Sequence, residues 1–516
     1  MTTGHVIRKN QYFDSVFLMQ VAQNLSNETG IQQAIALMGT ERNKQLLADM
    51  GFDVTEITSA SPNDLIIVLR GAESSTIHTI LDNVDAWLIR RPDSISKHVL
   101  RTLDEAMYRQ PHSNLVVISV PGEYAAREAR KALERGLNVF LFSDNVSVED
   151  ELALKQYAQE RGLIVMGPDC GTSIIGGVGI GFANIVRQGP VGVIGASGTG
   201  LQEFTSLVHQ NGSGISHAIG TGGRDLSDAI GGITTVCALE ALEADPKTEV
   251  IALLSKPPGR KTLERLFERL DNCTKPVVAC FLGIRHYPPK KDIRFAMAHT
   301  LDEAAALATG ITTGKPFVST DVNSEKYRAL IAREQTGMRL EQKYIRGLFA
   351  GGTFCYQAQQ VMRDGGLIVH SNAPLEGMLS LADPLCSVEH TVVDMGADLF
   401  TQSRPHPMID SSLRAERVLA EAEDPQVAVL LLDFVLGYNA SPDPVGDLLE
   451  AILEAKRVAR QRGGFLCVLA SVCGTDHDPQ DIRAQTRALE EAGVLVLPSS
   501  AQAAYFSREL ASDRQQ

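Results

Sequence analysis

The sequence predicts an α/β protein dominated by parallel, doubly wound sheets, and three observations carry that expectation. Apolar runs of strand length alternate with amphipathic helical runs along the chain. A strand–glycine turn–helix unit, VGVIGASGTGLQEFTSLV from Val191 to Val208, recurs about 155 residues later as LFAGGTFCYQAQQVM. The chain also has 516 residues, and single cores stop growing at roughly 250–300. Several domains are therefore expected.

Taken in order, HVIRKNQYF leads into DSVFLMQVAQNLSN, IQQAIALMG into TERNKQLLADMG, and DLIIVLRG into SSTIHTILDNVDAWLI. These three strand–helix pairs make a small α/β domain over 1–110, bounded by the charged stretch around Arg90 to Arg109. A Rossmann-like unit follows at 111–187: NLVVISV, a helix from Glu123, LNVFLFS, a helix from Val148, and LIVMG. Two flavodoxin-like domains come next, at 188–320 and 343–512, joined by a polar linker around Asp321 to Gln342.

The last two domains share one plan: glycine turn, helix, strand, G-x-D-L loop, acidic helix, Asp-Pro, strand, helix, strand. Their loops are Gly223–Leu226 and Gly396–Leu399. Asp245-Pro246 and Asp424-Pro425 each stop a helix just ahead of an apolar strand, because proline drives the residue before it out of the helical region. KPVVACFLG and FLCVLASV supply the later strands.

Composition narrows the function. The formal charge is −14 and no basic cluster is interleaved with aromatics, so nucleic acid is not expected as a partner. No apolar run reaches the roughly 20 residues that span a bilayer, and MTTGHVIRKNQYFDSV lacks the apolar core of a signal peptide. No membrane partner and a cytoplasmic location are expected. The eight cysteines (170, 237, 273, 280, 355, 386, 467, 473) form neither a C-x-x-C pair nor a zinc spacing. Reduced thiols and no metal are expected.

The glycine turns point to anions. Glycine lets backbone N–H groups approach a ligand, and the helix that follows favours negative charge at its N-terminus. The first candidate cradle is Gly195, Ser197, Gly198, Thr199 and Gly200; the second is Gly351, Gly352 and Thr353. Either turn also reads as an ordinary strand–helix junction with a capping hydroxyl. Gly222, Gly223 and Arg224 form a loop whose guanidinium suits a carboxylate or phosphate, with Asp225 orienting it or capping the next helix. Arg404 and His406, stiffened by Pro405 and Pro407, occupy the matching place in the second copy and are candidates for catalysis with Arg224. Lys256 and Arg260 are weaker anion candidates at a strand end. Cys170, in GPDCGT, reads as a buried small residue, and Asp476-His477-Asp478 as a polar helix entry.

The run VVISVPGEYAAREARKALERGLNVFLFSDNVSVEDELALKQYAQERGLIVMGPDCGTSI, with VGVIGASGTGLQEF, TGGRDLSD and KPVVACFLG, resembles the alpha subunit of succinyl-CoA synthetase and the wider NDP-forming acyl-CoA synthetases. In that family the segment matching GPDCGTS reads G-P-N-C-x-G. The C-terminal copy resembles the CoA-ligase domain of the same superfamily. Over nearly the whole chain, including YFDSVFLM, NDLIIVLR, VPGEYAA and SRPHPMID, the sequence resembles the FdrA family.

The resemblance implies that 111–187 is a CoA-binding-type domain and that the two flavodoxin-like domains are CoA-ligase-type. It further implies a subunit of oxamate carbamoyltransferase, handling carbamoyl phosphate or phosphate and a small carboxylate in anaerobic allantoin breakdown. Separately encoded partner subunits, in a homo-oligomer or hetero-complex, belong to the same implication. Two departures stand against simple CoA ligation. The relatives phosphorylate a histidine in a G-H-A-G-like loop, whereas His286 lies in IRHYPPKK without small neighbours and reads as a solvated loop residue. The CoA-holding G-x-x-G turn has no counterpart before Val116, and no ATP-grasp segment is read. No cofactor is thus required; CoA and nucleotide binding stay open, as do an NDP-forming acyl-CoA synthetase and a non-catalytic scaffold.

Overall fold

Three short strands, Thr2–Arg8, Ile31–Met38 and Leu65–Gly71, pair antiparallel with the last in the middle. Successive side chains of a strand point to opposite faces, so LIIVLRG serves two cores. Leu65, Ile67 and Leu69 pack with Leu18, Val21 and Ile77 of the Ser15–Ser26 and Ser74–Asp82 helices. Ile66 and Val68 pack with Leu47, Phe52 and Ile57. The computed structural model describes all residues except 1, 12, 14, 27, 53, 54, 56, 89–99, 285–294, 316–323, 402–403 and 513–516. It divides into two units: this N-terminal one, 1–111 with 402–405, and a larger one of 112–401 and 406–516.

The larger unit begins with a three-stranded parallel sheet, Leu115–Ile118, Asn138–Leu141 and Val165–Met166, with the Gly122–Glu134 and Val148–Gln159 helices between the strands. Phe140 and Met166 share a core with Ile194 and Ile219 of the next sheet. That sheet contains five parallel strands, Gln188–Ala196, Ile215–Gly220, Val250–Ser255, Val277–Phe281 and Phe295–Met297, in spatial order 2-1-3-4-5. The strands are buried on both faces and near-continuously apolar, as parallel strands must be. An antiparallel hairpin, Thr172–Ile175 with Val178–Gly181, extends its edge.

The second copy repeats the order with Thr391–Asp394, Tyr344–Phe349, Val427–Val435, Cys467–Cys473 and Leu495–Leu497, adding two short strands beyond Thr391. The predicted doubly wound α/β class, small N-terminal domain and duplicated flavodoxin-like sheets are all present. The stretch read as a polar linker carries a 12-residue helix, Glu325–Thr336. Its Tyr327 packs on Phe506 and donates to Gln502 at 3.2 Å, so apolar anchors on an otherwise charged segment dock it. Among the described residues, no helix is long and apolar enough to cross a membrane.

The two copies meet along their glycine-turn helices, Gly198–Gln210 and Gly352–Asp364, and share one core that joins Phe204 and Leu207 to Phe354, Ala358 and Phe506. At corresponding places the helices reach across the seam. Glu203 Oε1 accepts the Ser500 amide at 2.7 Å, capping the last helix of the second copy. Gln357 Oε1 accepts the Leu301 amide at 2.8 Å, capping the last helix of the first. Asp478 accepts from Asn184 Nδ2 and the Ile185 amide, each at 2.7 Å.

Glu203 is fully buried, and desolvation pushes its carboxyl up to about 7 against the two hydrogen bonds from Ser500. Its folded pKa therefore lies above the ordinary 4.5. Between those values the folded state holds a proton that the unfolded chain has lost, so stability falls as pH rises through this window. Glu203→Gln mimics the protonated form. Its melting temperature should match wild type near pH 5 and exceed it by about 2–4 °C near pH 8, measured by differential scanning fluorimetry.

Candidate anion-binding site

The first glycine turn joins the Gln188–Ala196 strand to the Gly198–Gln210 helix. Ser197, in extended backbone, caps the following helix: its Oγ accepts the Gly200 amide at 3.1 Å. A helix's first-turn amides lack intrahelical acceptors, and those of Gly198 and Thr199, both partly exposed, have no hydrogen-bond acceptor among the described residues. The second turn differs. Gly351 caps its helix without a side chain, and the nearest hydroxyl, that of Thr353, stands one residue into the helix. Ser197 Oγ and Thr353 Oγ1 are hydrogen-bonded to each other, so the turns abut. The fit is tight: a methyl on Gly200 would lie 2.6 Å from Ser197 Oγ and 3.1 Å from Thr353 Cγ2, and one on Gly351 would lie 3.1 Å from Thr199 Cβ.

Sheets of order 2-1-3-4-5 bind ligands where strands 1 and 3 diverge. Register places Ser255 beside Ala196, so Lys256 follows the third strand next to Ser197. Its amine lies 4.7 Å from the centre of the Tyr356 ring, near the start of the other copy's helix. Among the described residues it has neither a hydrogen bond nor an ion pair. In the second copy the same divergence holds a carboxylate. Asp433 accepts the Ala350 and Gly351 amides at 2.8 Å each, and is itself held by Arg414 Nη2 at 3.0 Å. A second carboxylate, Asp394, packs so closely that a methyl on Gly352 would meet its Oδ2 at 2.5 Å. Burial pushes the Asp394 carboxyl up. The second turn thus carries its own anions, while the first offers free amides and a free cation.

The loop 167–172 lies against the first turn, with Thr172 Oγ1 3.5 Å and Gly171 Cα 3.9 Å from where a Gly198 side chain would begin. Gly222 and Gly223 pack under it. Gly222 adopts a φ of +85°, and a methyl there would strike Pro168 O at 2.4 Å, so only glycine fits. Asp169 projects from the loop into solvent. Even so, the surrounding protein desolvates it, and with Asp144 nearby its carboxyl rises to about 6. Cys170 is buried, and desolvation holds its thiol up near 12, which excludes a thiolate nucleophile at neutral pH.

The structure engages Arg224 elsewhere. Its guanidinium pairs with Glu151 at 2.9 Å and donates to Val146 O at 2.8 Å. Glu151 in turn joins a buried network with Lys155 and Asp225, and Asp225 caps the Ile233–Ala244 helix through the Thr234 and Thr235 amides. Arg224 is therefore a brace on this loop. Arg404 is exposed and packs with the N-terminal unit. His406 lies beside the second turn: a methyl on Gly396 would meet both His406 Nε2, at 2.6 Å, and Ala350 O, at 2.7 Å. The Met408 amide donates to His406 Nδ1 at 3.2 Å, which assigns the ring proton to Nε2. Burial brings its pKa down to about 4, so at neutral pH the ring is an uncharged Nε2–H donor. His286 lies outside the described residues. Arg260 is exposed, paired with Glu264 at 3.3 Å.

One group of potential metal ligands converges among the described residues: His209, Asp476 and His477. His209 Nδ1 accepts the Arg187 amide at 2.9 Å, so its proton sits on Nε2, which faces Asp476 Oδ1 at 2.9 Å. A nitrogen carrying a proton has no lone pair for a metal. The cluster is a hydrogen-bonded seam. Sequence reasoning ranked Lys256 low and set Asp433 and Asp169 at strand ends without a role of their own, since nothing in a single strand's sequence says which charge the neighbouring strand will meet.

Asp433→Ala should strip two amides of their acceptor and leave buried Arg414 unpaired. We expect a loss of about 3–5 kcal/mol by urea denaturation, with Asp433→Asn losing part of it.

Three family models match in order along the chain: a domain described as AllF, heavy metal-associated, over 1–106; a CoA binding domain over 186–283; and CoA-ligase over 348–510. The CoA-binding match falls on the first flavodoxin-like sheet, whereas sequence reading assigned that type to 111–187. The N-terminal unit does not fit a soft metal. It contains no cysteine, and among its described residues no three ligand atoms converge. The uncharacterized protein YahF of Escherichia coli is 44% identical over 99% of this chain and 98% of its own length. A succinate–CoA ligase [ADP-forming] alpha subunit of Methanothermobacter thermautotrophicus is 30% identical over 34% of this chain and 60% of its own. Among solved structures, the ATP citrate lyase of Methanothrix soehngenii aligns at 14% identity, covering 80% of this chain and 84% of that one, with a TM-score of 0.35; an overlap that low has no bearing on function. On the full-length relative and the ordered domain matches, the chain belongs to the FdrA family of acyl-CoA-synthetase-like proteins.

Proposed function

We propose that this acyl-CoA-synthetase-like chain binds an acyl or carbamoyl phosphate at its first glycine turn and serves as a subunit of oxamate carbamoyltransferase. The observation that carries the reading is the opposite charge at the two strand divergences: Lys256 beside free amides in one copy, Asp433 filling the amides in the other. Phosphate is held by the Gly198 and Thr199 amides with Lys256 as counter-ion. The transfer needs no protein nucleophile. Phosphate oxygen attacks the carbamoyl carbon of N-carbamoyl-oxamate, the C–N bond breaks, and the released oxamate nitrogen takes the proton that phosphate gives up. Amides already aimed at the phosphate stabilise the charge that develops without reorganising. Neutral His406 offers an N–H donor beside the second turn.

The CoA-binding and CoA-ligase matches support a second reading, acyl-CoA synthesis with a partner subunit supplying the nucleotide chemistry. The purified chain and its separately encoded partners, singly and combined, are incubated with carbamoyl phosphate and oxamate, and carbamoyl-oxamate is followed by mass spectrometry. Product is expected in the combination, and Lys256→Ala should cut kcat/KM on the order of 100-fold. Absence of product in every combination overturns the proposal. Phosphate release that depends on CoA instead establishes the second reading.

A further inference from the structure

Asp169 is a carboxylate without a partner in a place built for anions. Its loop lies against Gly198, and its Oδ2 is 3.7 Å from where a Gly223 side chain would begin. Its amide is anchored on Ser143 O at 3.0 Å. Among the described residues its side chain has neither a hydrogen bond nor an ion pair. The charges that face it are Asp144 and Asp398 on the negative side, Lys256 and Arg224 on the positive, and Arg224 is committed to Glu151. Two buried hydroxyls flank the loop with no partner of their own: Ser143 Oγ, next to the anchoring carbonyl, and Thr221 Oγ1, which precedes Gly222. Buried polar groups without partners are rare in folded proteins, and two of them lie on the segments that hold this loop.

Chemistry limits what can fill it. An ionised carboxylate only accepts hydrogen bonds, while the amides of Gly198 and Thr199 only donate. A ligand that satisfies both ends is an anion at one end and an N–H donor at the other. Resting on the phosphate site proposed above, we infer that Asp169 is the specificity-determining residue of that site, accepting the N–H of a carbamoyl group whose phosphate lies on the first glycine turn and Lys256. An acyl phosphate with a methyl in that place leaves the carboxylate unpaired, and sites built around a hydrogen bond discriminate strongly against analogues that lack it.

Two stable probes differ only at that group: phosphonoacetamide carries NH2 where acetonylphosphonate carries CH3. Isothermal titration of the whole chain with each, and with inorganic phosphate, tests the assignment. Wild type should bind phosphonoacetamide at least about tenfold more tightly than acetonylphosphonate. Asp169 has a φ of +55°, a conformation asparagine tolerates, so Asp169→Asn keeps the backbone while removing the charge. This variant should reduce the preference to about threefold or less and bind phosphate as well as wild type. Equal affinity of wild type for the two phosphonates, or an undiminished preference in Asp169→Asn, overturns the inference and leaves the phosphate site standing. Failure of wild type to bind any of the three overturns both.

Discussion

The hydrogen bond between Ser197 and Thr353 brings two helix N-termini head to head, and much of the larger unit follows from that encounter. Each N-terminus carries roughly half a positive charge, so two together repel unless negative charge stands near them. The second turn meets this need from within, through Asp433 on its amides and Asp394 against Gly352. Among the described residues no carboxylate bonds the Gly198 and Thr199 amides. The second turn is thus neutralised from within, and the phosphate proposed above would do the same for the first.

Duplication explains how such a device could arise, and the departures from symmetry explain what it does. Both copies keep the sheet order, the glycine turn and the reach of the turn helix to the other copy's last helix. They part around the third strand, which Lys256 follows in one copy and which contains Asp433 in the other. In the second copy a carboxylate within the strand accepts the turn amides, whereas among the described residues none does so in the first. The buried Arg414 that accompanies Asp433 shows the structural turn has been built as such.

Much of the fold was legible in the chain itself. The apolar strand LIIVLRG, the Asp-Pro helix stops and the repeated glycine turns each act over a few residues, and each appears where expected. The site was less legible because it is made by register between strands distant in sequence. Lys256 reads as a solvated cation until Ser255 is found beside Ala196. Arg224 reads as a free anion ligand until Glu151, 73 residues away, is found on it. The helix at Glu325–Thr336 was hidden because its charged face dominates the composition while Tyr327 does the docking.

The seam fastened by Asn184, Asp478, Glu203 and Ser500 has a consequence for assembly. Both halves of the site lie on one polypeptide, so their encounter is intramolecular and its effective concentration is set by the chain and not by the solution. Dilution cannot separate the two turns. Whatever partners join this protein, they meet a site already closed by its own two halves, and their concentration governs only what is added to it.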